Sequence, residues 1–331
     1  MKSSAVSVII VNWNGKEFLE DCLNALQHQS HQDFEVIFVD NASTDDSLVL
    51  AKKLAAGLGL NTKFVTNNKN MGFAGGNNEG LKHSSGQYIA LLNTDTVAEK
   101  NWLRELVGAM AHDPSAGVCA SKLIVLSENV IDSAGDGYST FGHAFKRGEG
   151  LSASDYAERE YVFGACAGAA LYRREMVEQI GFFDEDFFLI FEDTDINFRA
   201  QLSGWKCLYV PEAVVYHRVG GSIKNISELA AYHVVRNDKL VKIKNIPALV
   251  LLYEFPCLIL GEIIWLIHFI IQNRFGIYIR ANADVLKMLP FLLQKRRKVM
   301  KLRKVSNGYI IRLLTSGFKL YNPGRIKRYL T

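Results

Sequence analysis

Four short apolar runs, each closed by a polar cluster, constrain this chain more than any other feature. Residues 6–11 are β-branched and end at Asn12-Trp13-Asn14-Gly15, after which Phe18, Leu19, Cys22, Leu23 and Leu26 recur at helical spacing. Residues 35–39 stop at Asp40-Asn41, and a helix capped by Ser43 or Thr44 is predicted to run to about Leu58. Residues 63–65 make a short third run, followed by a glycine-rich turn at 70–78. Residues 88–92 end at Asn93-Thr94-Asp95, and Trp102, Leu103, Leu106, Val107 and Met110 then share one helical face. Strands alternating with helices predict parallel strands joined by right-handed crossovers. Ligands of such sheets sit at the carboxyl ends of the strands. All four polar clusters fall at such ends, so one pocket there is expected.

The pattern weakens over residues 123–161, where Gly, Ser and mixed charges read as an insertion over the pocket. Order returns at 164–173, and 182–195 is dense in aromatic and acidic residues. A helix from about Thr194 to Leu202 follows, then a strand at 207–210 ended by Pro211, and an apolar stretch leading to His217. Residues 246–271 are almost all apolar but are interrupted by Pro247, Glu254, Pro256 and Glu262. A spanning helix needs about 20 apolar residues with few charges. The stretch falls short, and two proline-separated helices lying in a membrane interface are expected instead. Of the 38 Lys and Arg, 13 lie from Lys287 onward, where no carboxylate remains; the preceding residues hold 25 basic and 34 acidic side chains. Such a tail is expected to contact anionic headgroups.

At 49% hydrophobic and 22% charged residues, 331 residues suffice for a full core, which excludes wholesale disorder and collagen-like repeats. Lys2 and the short run after it are not expected to act as a signal peptide, the run being too short for an h-region. Five dispersed cysteines without a C-x-x-C pair argue against a zinc ribbon, a redox motif or a disulfide framework and fit a reducing compartment.

Several residues carry candidate chemistry. Asp40 at a strand end can accept a hydrogen bond from a uracil or thymine imide, or merely close a turn. Asp95 can hold Mg²⁺ or Mn²⁺ through oxygen, or simply belong to an Asn-Thr-Asp turn. Among Glu192, Asp193 and Asp195, one can be a general base raised in pKa by burial, while others complement a helix N-terminus. For Asp193, burial beside Phe187, Phe188 and Phe191 should raise the pKa and the helix N-terminus should lower it. His217 can ligate a metal, donate to a phosphate, or be structural. Residues 70–78 lack the G-x-G-x-x-G fingerprint, although their glycines would let the backbone approach a nucleotide.

In order, Asn14, residues 39–45, 70–78 and 92–95, then 164–173, 181–188, 192–195 and 210–217, resemble family 2 glycosyltransferases of the GT-A fold. They look most like the bacterial rhamnosyltransferase-like branch, over about residues 5–245. The resemblance implies an α/β fold: a Rossmann-like, mixed, mostly parallel sheet flanked by helices. Residues 1–245 would be the catalytic domain, with 1–120 binding nucleotide and 121–245 binding acceptor. Residues 246–331 would be an apolar and basic, membrane-associating helical tail. Asn14, Asp40, Asn70, Gly72, Phe73, Asn77, Asn93 and Asp95 would bind the nucleotide-sugar, Asp95 and His217 a divalent metal (Mg²⁺ or Mn²⁺), and Asp193 would be the base. Asn93 stands where many members have Asp, which implies weaker metal binding. The processive motif Q-x-x-R-W is absent, and Arg236-Asn237 occupies a comparable position, which argues against a processive polymerase. The implied reaction is inverting transfer of a sugar, rhamnose by branch, in cell-surface polysaccharide synthesis. The donor would be dTDP- or UDP-linked and the acceptor a saccharide or polyprenyl-diphosphate-linked glycan. No nucleic acid is expected as partner, and the place is the cytoplasmic face of the membrane, held peripherally. A nucleotidyltransferase on a similar sheet would want a basic glycine-rich loop where Asn-Trp-Asn-Gly stands. An inactive scaffold is opposed by the joint presence of Asp40, Asp95, Asp193 and His217.

Overall fold

The computed structural model describes residues 5–218 and 228–320. Lys2, the glycines at 220–221 and the basic residues beyond 320 lie outside the described residues. The strands are β1 (Val6–Asn12), β2 (Phe34–Asp40), β3 (Thr62–Thr66), β4 (Tyr88–Leu92), β5 (Thr96–Ala98), β6 (Ala116–Val125), β7 (Ile131–Ala134), β8 (Asp136–Ser139), β9 (Ala144–Lys146), β10 (Glu160–Val162), β11 (Ala169–Arg173), β12 (Lys206–His217) and β13 (Leu314–Thr315). The helices are α1 (Leu19–Gln27), α2 (Ser47–Leu58), α3 (Gly72–His83), α4 (Trp102–His112), α5 (Arg174–Ile180), α6 (Glu192–Leu202), α7 (Glu228–Asn245), α8 (Ala248–Tyr253), α9 (Phe255–Ile271), α10 (Phe275–Leu302), α11 (Asn307–Leu313) and α12 (Gly317–Leu320).

The main sheet has the order β10-β12-β6-β11-β4-β1-β2-β3. It is parallel from β3 to β4 and again between β6 and β12, while β11 runs antiparallel between the two blocks. One face packs on Leu19, Leu23, Trp102 and Leu106 of α1 and α4. The other packs on Ala74, Met176, Ile196 and Ala200 of α3, α5 and α6. Both faces of β1, β2 and β4 are thus covered, and that is why their sequences are continuous apolar runs.

Several boundaries depart from the sequence reading. Residues 72–78 are not a turn, since α3 starts at Gly72. Its glycines serve packing: a Cβ would lie 2.6 Å from Val11 at Gly76 and 2.5 Å from Ile9 at Gly80, so they let α3 lie directly on β1. Helix α2 begins at Ser47, because Asp40 and Asn14 hold the backbone of residues 43–45 outside the helix. Pro211 does not end its strand. β12 runs through it with a register shift between Val210 and Val214, a position where a missing N–H is tolerated. The segment read as an insertion is rich in strands and carries buried Ile131, Asp132, Asp136 and Tyr138.

Pro247 caps α8, and Pro256 sits in the first turn of α9. Among the described residues no helix is long and apolar enough to cross a membrane. One hydrophobic cluster unites Tyr138, Phe163, Phe198, Leu240, Val285, Leu292 and Ile310, so the C-terminal helices share a core with β8 and α6.

Candidate active site

Parallel register places Asn12 opposite Asp40 at the carboxyl ends of β1 and β2. The Asn12 amide donates to Asp40 Oδ1 at 3.3 Å, Ser43 Oγ at 3.0 Å and Ser47 Oγ at 2.8 Å. Asp40 Oδ2 accepts from the Ser43 N–H at 3.2 Å. Asn14 adopts φ 53°, a conformation Asn tolerates, and its Oδ1 accepts the Thr44 N–H at 2.7 Å. Asn41, to which the sequence assigned no role, ties the next loop down. Its Nδ2 donates to Asn70 Oδ1 and to the Gly72 carbonyl, each at 3.0 Å, and its Oδ1 accepts the Met71 N–H at 3.0 Å. Gly72, at φ 70°, leaves no room for a side chain, since a Cβ would lie 2.3 Å from the Phe188 carbonyl. Phe73 packs near Phe183, with ring centroids 5.9 Å apart, and the Asn77 amide donates to the Phe73 carbonyl at 2.9 Å within α3.

Asn93 bridges the halves, its N–H donating to the Gly168 carbonyl at 2.9 Å. Asp95 follows it, buried. Pairing of β5 with β12 sets His217 opposite Thr96, and His217 Nε2 lies 3.6 Å from Asp95 Oδ1. The other ring nitrogen meets Asp132 Oδ2 at 2.9 Å. Burial works against a charged ring here, yet hydrogen bonds to the Asp132 and Asp95 carboxylates carry the His217 pKa up to about 9. Asp132 is opposed by burial but held down to about 2 by His217 and by Lys146, whose Nζ is 2.7 Å away.

The three acids at the start of α6 have separate fates. Glu192 is buried beside Asp193, and burial followed by that like charge pushes its pKa well above the ordinary carboxylate range. Asp195 is fully buried and ion-paired to Arg199 Nε at 2.9 Å and Lys244 Nζ at 2.9 Å, which together outweigh burial and depress its pKa. Asp193 is half-buried. Its carboxylate accepts N–H groups from Thr194 at 2.7 Å and Ala167 at 3.3 Å. Burial raises its pKa, and those N–H groups work against the rise. Asp136, unforeseen in the sequence, is pushed up to about 8 by burial and by the charge of Asp193.

The loop before Asp193 is strained. Phe188, Ile190 and Phe191 have φ of 63°, 66° and 72°. Each such residue costs about 1–3 kcal/mol unless its surroundings enforce it. Asn237 enforces it, its amide donating to the carbonyls of Phe187, Leu189 and Ile190 at 2.9, 2.8 and 2.7 Å. Phe188 in turn accepts the Ala74 N–H at 3.1 Å, which couples this loop to the start of α3.

The model of the family described as "Glycosyl transferase family 2" matches residues 7–181, more than half of the chain. The chain belongs to glycosyl transferase family 2. It is a glycosyltransferase. A Haemophilus influenzae relative named "Uncharacterized glycosyltransferase" is 24% identical over 245 residues, 72% of each chain. The structure of S. aureus TarS 1-349 in complex with UDP-GlcNAc aligns at TM-score 0.61 and 20% identity, over 90% of this chain and 88% of that one. The mannosyltransferase PcManGT from Pyrobaculum calidifontis, in complex with GDP-Man and Mn²⁺, aligns at TM-score 0.56 and 16% identity, over 100% and 84%. At such identities the likeness is one of fold, the GT-A fold. The family match ends before α6, so Asp193 and His217 of this glycosyltransferase rest on geometry.

Proposed function

We propose that this glycosyltransferase moves a sugar from a nucleoside-diphosphate donor to an acceptor hydroxyl with inversion, Asp193 being the base. The observation that carries this is the division of labour at α6: Glu192 is buried, Asp195 is locked in ion pairs, and of the three Asp193 alone keeps a half-buried carboxylate oriented by two N–H groups. Asp193 takes the acceptor proton, the freed oxygen attacks the anomeric carbon, and the bond from that carbon to the diphosphate oxygen breaks. Asp40 and Asn14, at and just beyond the carboxyl ends of β2 and β1, hold the nucleotide. The neighbours crystallised with UDP-GlcNAc and GDP-Man support a nucleotide-sugar donor; a dTDP- or UDP-linked sugar, rhamnose by branch, is the finer reading.

Asp95 and His217 direct one carboxylate oxygen and one imidazole nitrogen at each other, a donor set that fits Mn²⁺ and, with more weight on oxygen, Mg²⁺. Among the described residues no third His, Cys, Asp or Glu completes a cage, so diphosphate oxygens and water would fill the shell. When bound, the cation neutralises charge on the departing diphosphate. A nucleotide-sugar screen reading released nucleoside diphosphate tests the assignment. Turnover with one donor and loss of it in excess EDTA are expected, and full turnover in EDTA would remove the metal from the reading.

The cytoplasmic membrane face is the proposed place of action, with a saccharide or polyprenyl-diphosphate-linked acceptor. Phe255, Ile259, Ile263, Ile267 and Ile271 are exposed along α9 at helical spacing. Glu262 points the other way, to Lys239 at 2.5 Å and Lys242 at 2.6 Å, so its charge is kept off that face. Exposed Lys287, Arg297, Lys298 and Lys301 of α10 suit anionic headgroups. Co-flotation with anionic vesicles, lost on Ile263→Glu plus Ile267→Glu, is the expected result. Flotation unaffected by those changes would sink this part.

A further inference from the structure

Asp132 stands apart from the residues the mechanism uses. It lies on β7, where the pairing with β6 shifts register between Leu123 and Ile124, so that Asp132 is the extra residue of a β-bulge. Bulges re-aim side chains, and this one aims a buried carboxylate across β6 to the end of β12. There Oδ2 meets His217 Nδ1 at 2.9 Å, while Oδ1 is held by Lys146 Nζ at 2.7 Å. An ionised carboxylate can only accept, so the proton on that side belongs to Nδ1. The other nitrogen, Nε2, faces Asp95 Oδ1 at 3.6 Å and also carries a proton while no cation is there, so it is the Nε2 proton that a cation would displace while Asp132 keeps the one on Nδ1.

We infer that Asp132 is a positioning residue: it selects the tautomer and ring plane of His217 so that Nε2 is presented beside Asp95 to a divalent cation, with Lys146 holding Asp132 in place. The inference rests on the reading of Asp95 and His217 as metal ligands. A carboxylate behind a ligating histidine is worth about 10–100-fold in metal affinity.

The test is titration of the full chain with Mn²⁺ in the presence of UDP, free Mn²⁺ being read by electron paramagnetic resonance. Asp132→Asn should weaken Mn²⁺ binding about 10–100-fold, with UDP affinity in EDTA and the circular dichroism spectrum unchanged. Lys146→Met should weaken it less. Mn²⁺ affinity of Asp132→Asn within about twofold of wild type would overturn the positioning role alone. Absence of Mn²⁺ binding by wild type would overturn the metal reading and this inference with it. Should Asp132→Asn fail to fold, ¹⁵N resonances of the wild-type His217 ring decide the matter, with Cd²⁺ and UDP as the diamagnetic probe. A retained proton on Nδ1 with the shift at Nε2 upholds the inference, and a shift at Nδ1 refutes it.

Discussion

At the edge proposed to hold the nucleotide, Asn12, Asn14, Asn41 and Asn70 hold Asp40 and the loops around it through amide and hydroxyl hydrogen bonds. Around the start of α6, Asp132, Asp136, Glu192 and Asp195 are buried beside half-buried Asp193, with buried Arg199 and Lys244 and the more exposed Lys146 as their cationic partners. The first region fixes shape with short neutral groups, each within a few residues of a strand end. The second fixes protonation states, because charges taken from water must be neutralised or paired. A donor nucleotide needs a rigid complement. A proton acceptor needs one carboxylate whose affinity for a proton differs from its neighbours'.

The largest effect expected from breaking this division is at Asp193. Asp193→Asn should lower turnover by about 10²–10⁴-fold while nucleotide affinity persists, since the nucleotide edge is untouched. Steady-state kinetics with calorimetry checks both. Near wild-type turnover in that variant, with Glu192→Gln dead, would move the base to Glu192.

Asp195→Asn should act on stability instead, because Arg199 and Lys244 would be left buried without their shared partner. Breaking such a buried pair costs about 3–5 kcal/mol, which urea unfolding would reveal. A loss of turnover in Asp195→Asn without loss of stability would blur the contrast between it and Asp193.

Smaller effects sharpen the comparison from the other side. Asp40→Ala should weaken UDP or dTDP binding by about 1.5–3 kcal/mol without changing the pH dependence of turnover. Unchanged affinity by calorimetry would take Asp40 out of the site. Asp136→Asn should give the mildest change. Its carboxyl is raised to about 8 by burial and by Asp193, so the folded state holds a proton that the unfolded chain releases near pH 4. The folded state binds more protons, and this residue's contribution to stability is therefore lost as pH rises from about 4 to 8. Asp136→Asn should remove that slope and be roughly 0.5–2 kcal/mol more stable than wild type at pH 8, by urea unfolding at pH 5 and pH 8. An identical slope in both proteins would contradict the assignment.

The two regions also differ in how far they could be read in advance. Asp40 and Asp95 were legible because one ends and the other closely follows a strand buried on both faces, and such strands announce themselves as continuous apolar runs. Asn41 was passed over because its partners, Asn70 and Gly72, lie about thirty residues on. Asp132 lies 85 residues from His217, in a segment with no period to read. The glycines of α3 were misread in the opposite sense: their spacing marked a close approach, but only the packing shows that the neighbour is β1.

By itself, then, the sequence determined the strand-helix alternation, the polar strand ends, the acids before α6 and the excess of apolar and basic residues near the C-terminus. These follow from periodicity and local chemistry, which act over a few residues. Tertiary structure decided which acid is buried without a cation beside it among the described residues, which is ion-paired and which stays half-buried, and that His217 sits between Asp95 and Asp132. It also turned Glu262 toward Lys239 and Lys242, leaving the outer face of α9 apolar. Protonation and orientation depend on burial and on charges brought from distant strands and helices, so only the assembled sheet and its C-terminal helices could set them.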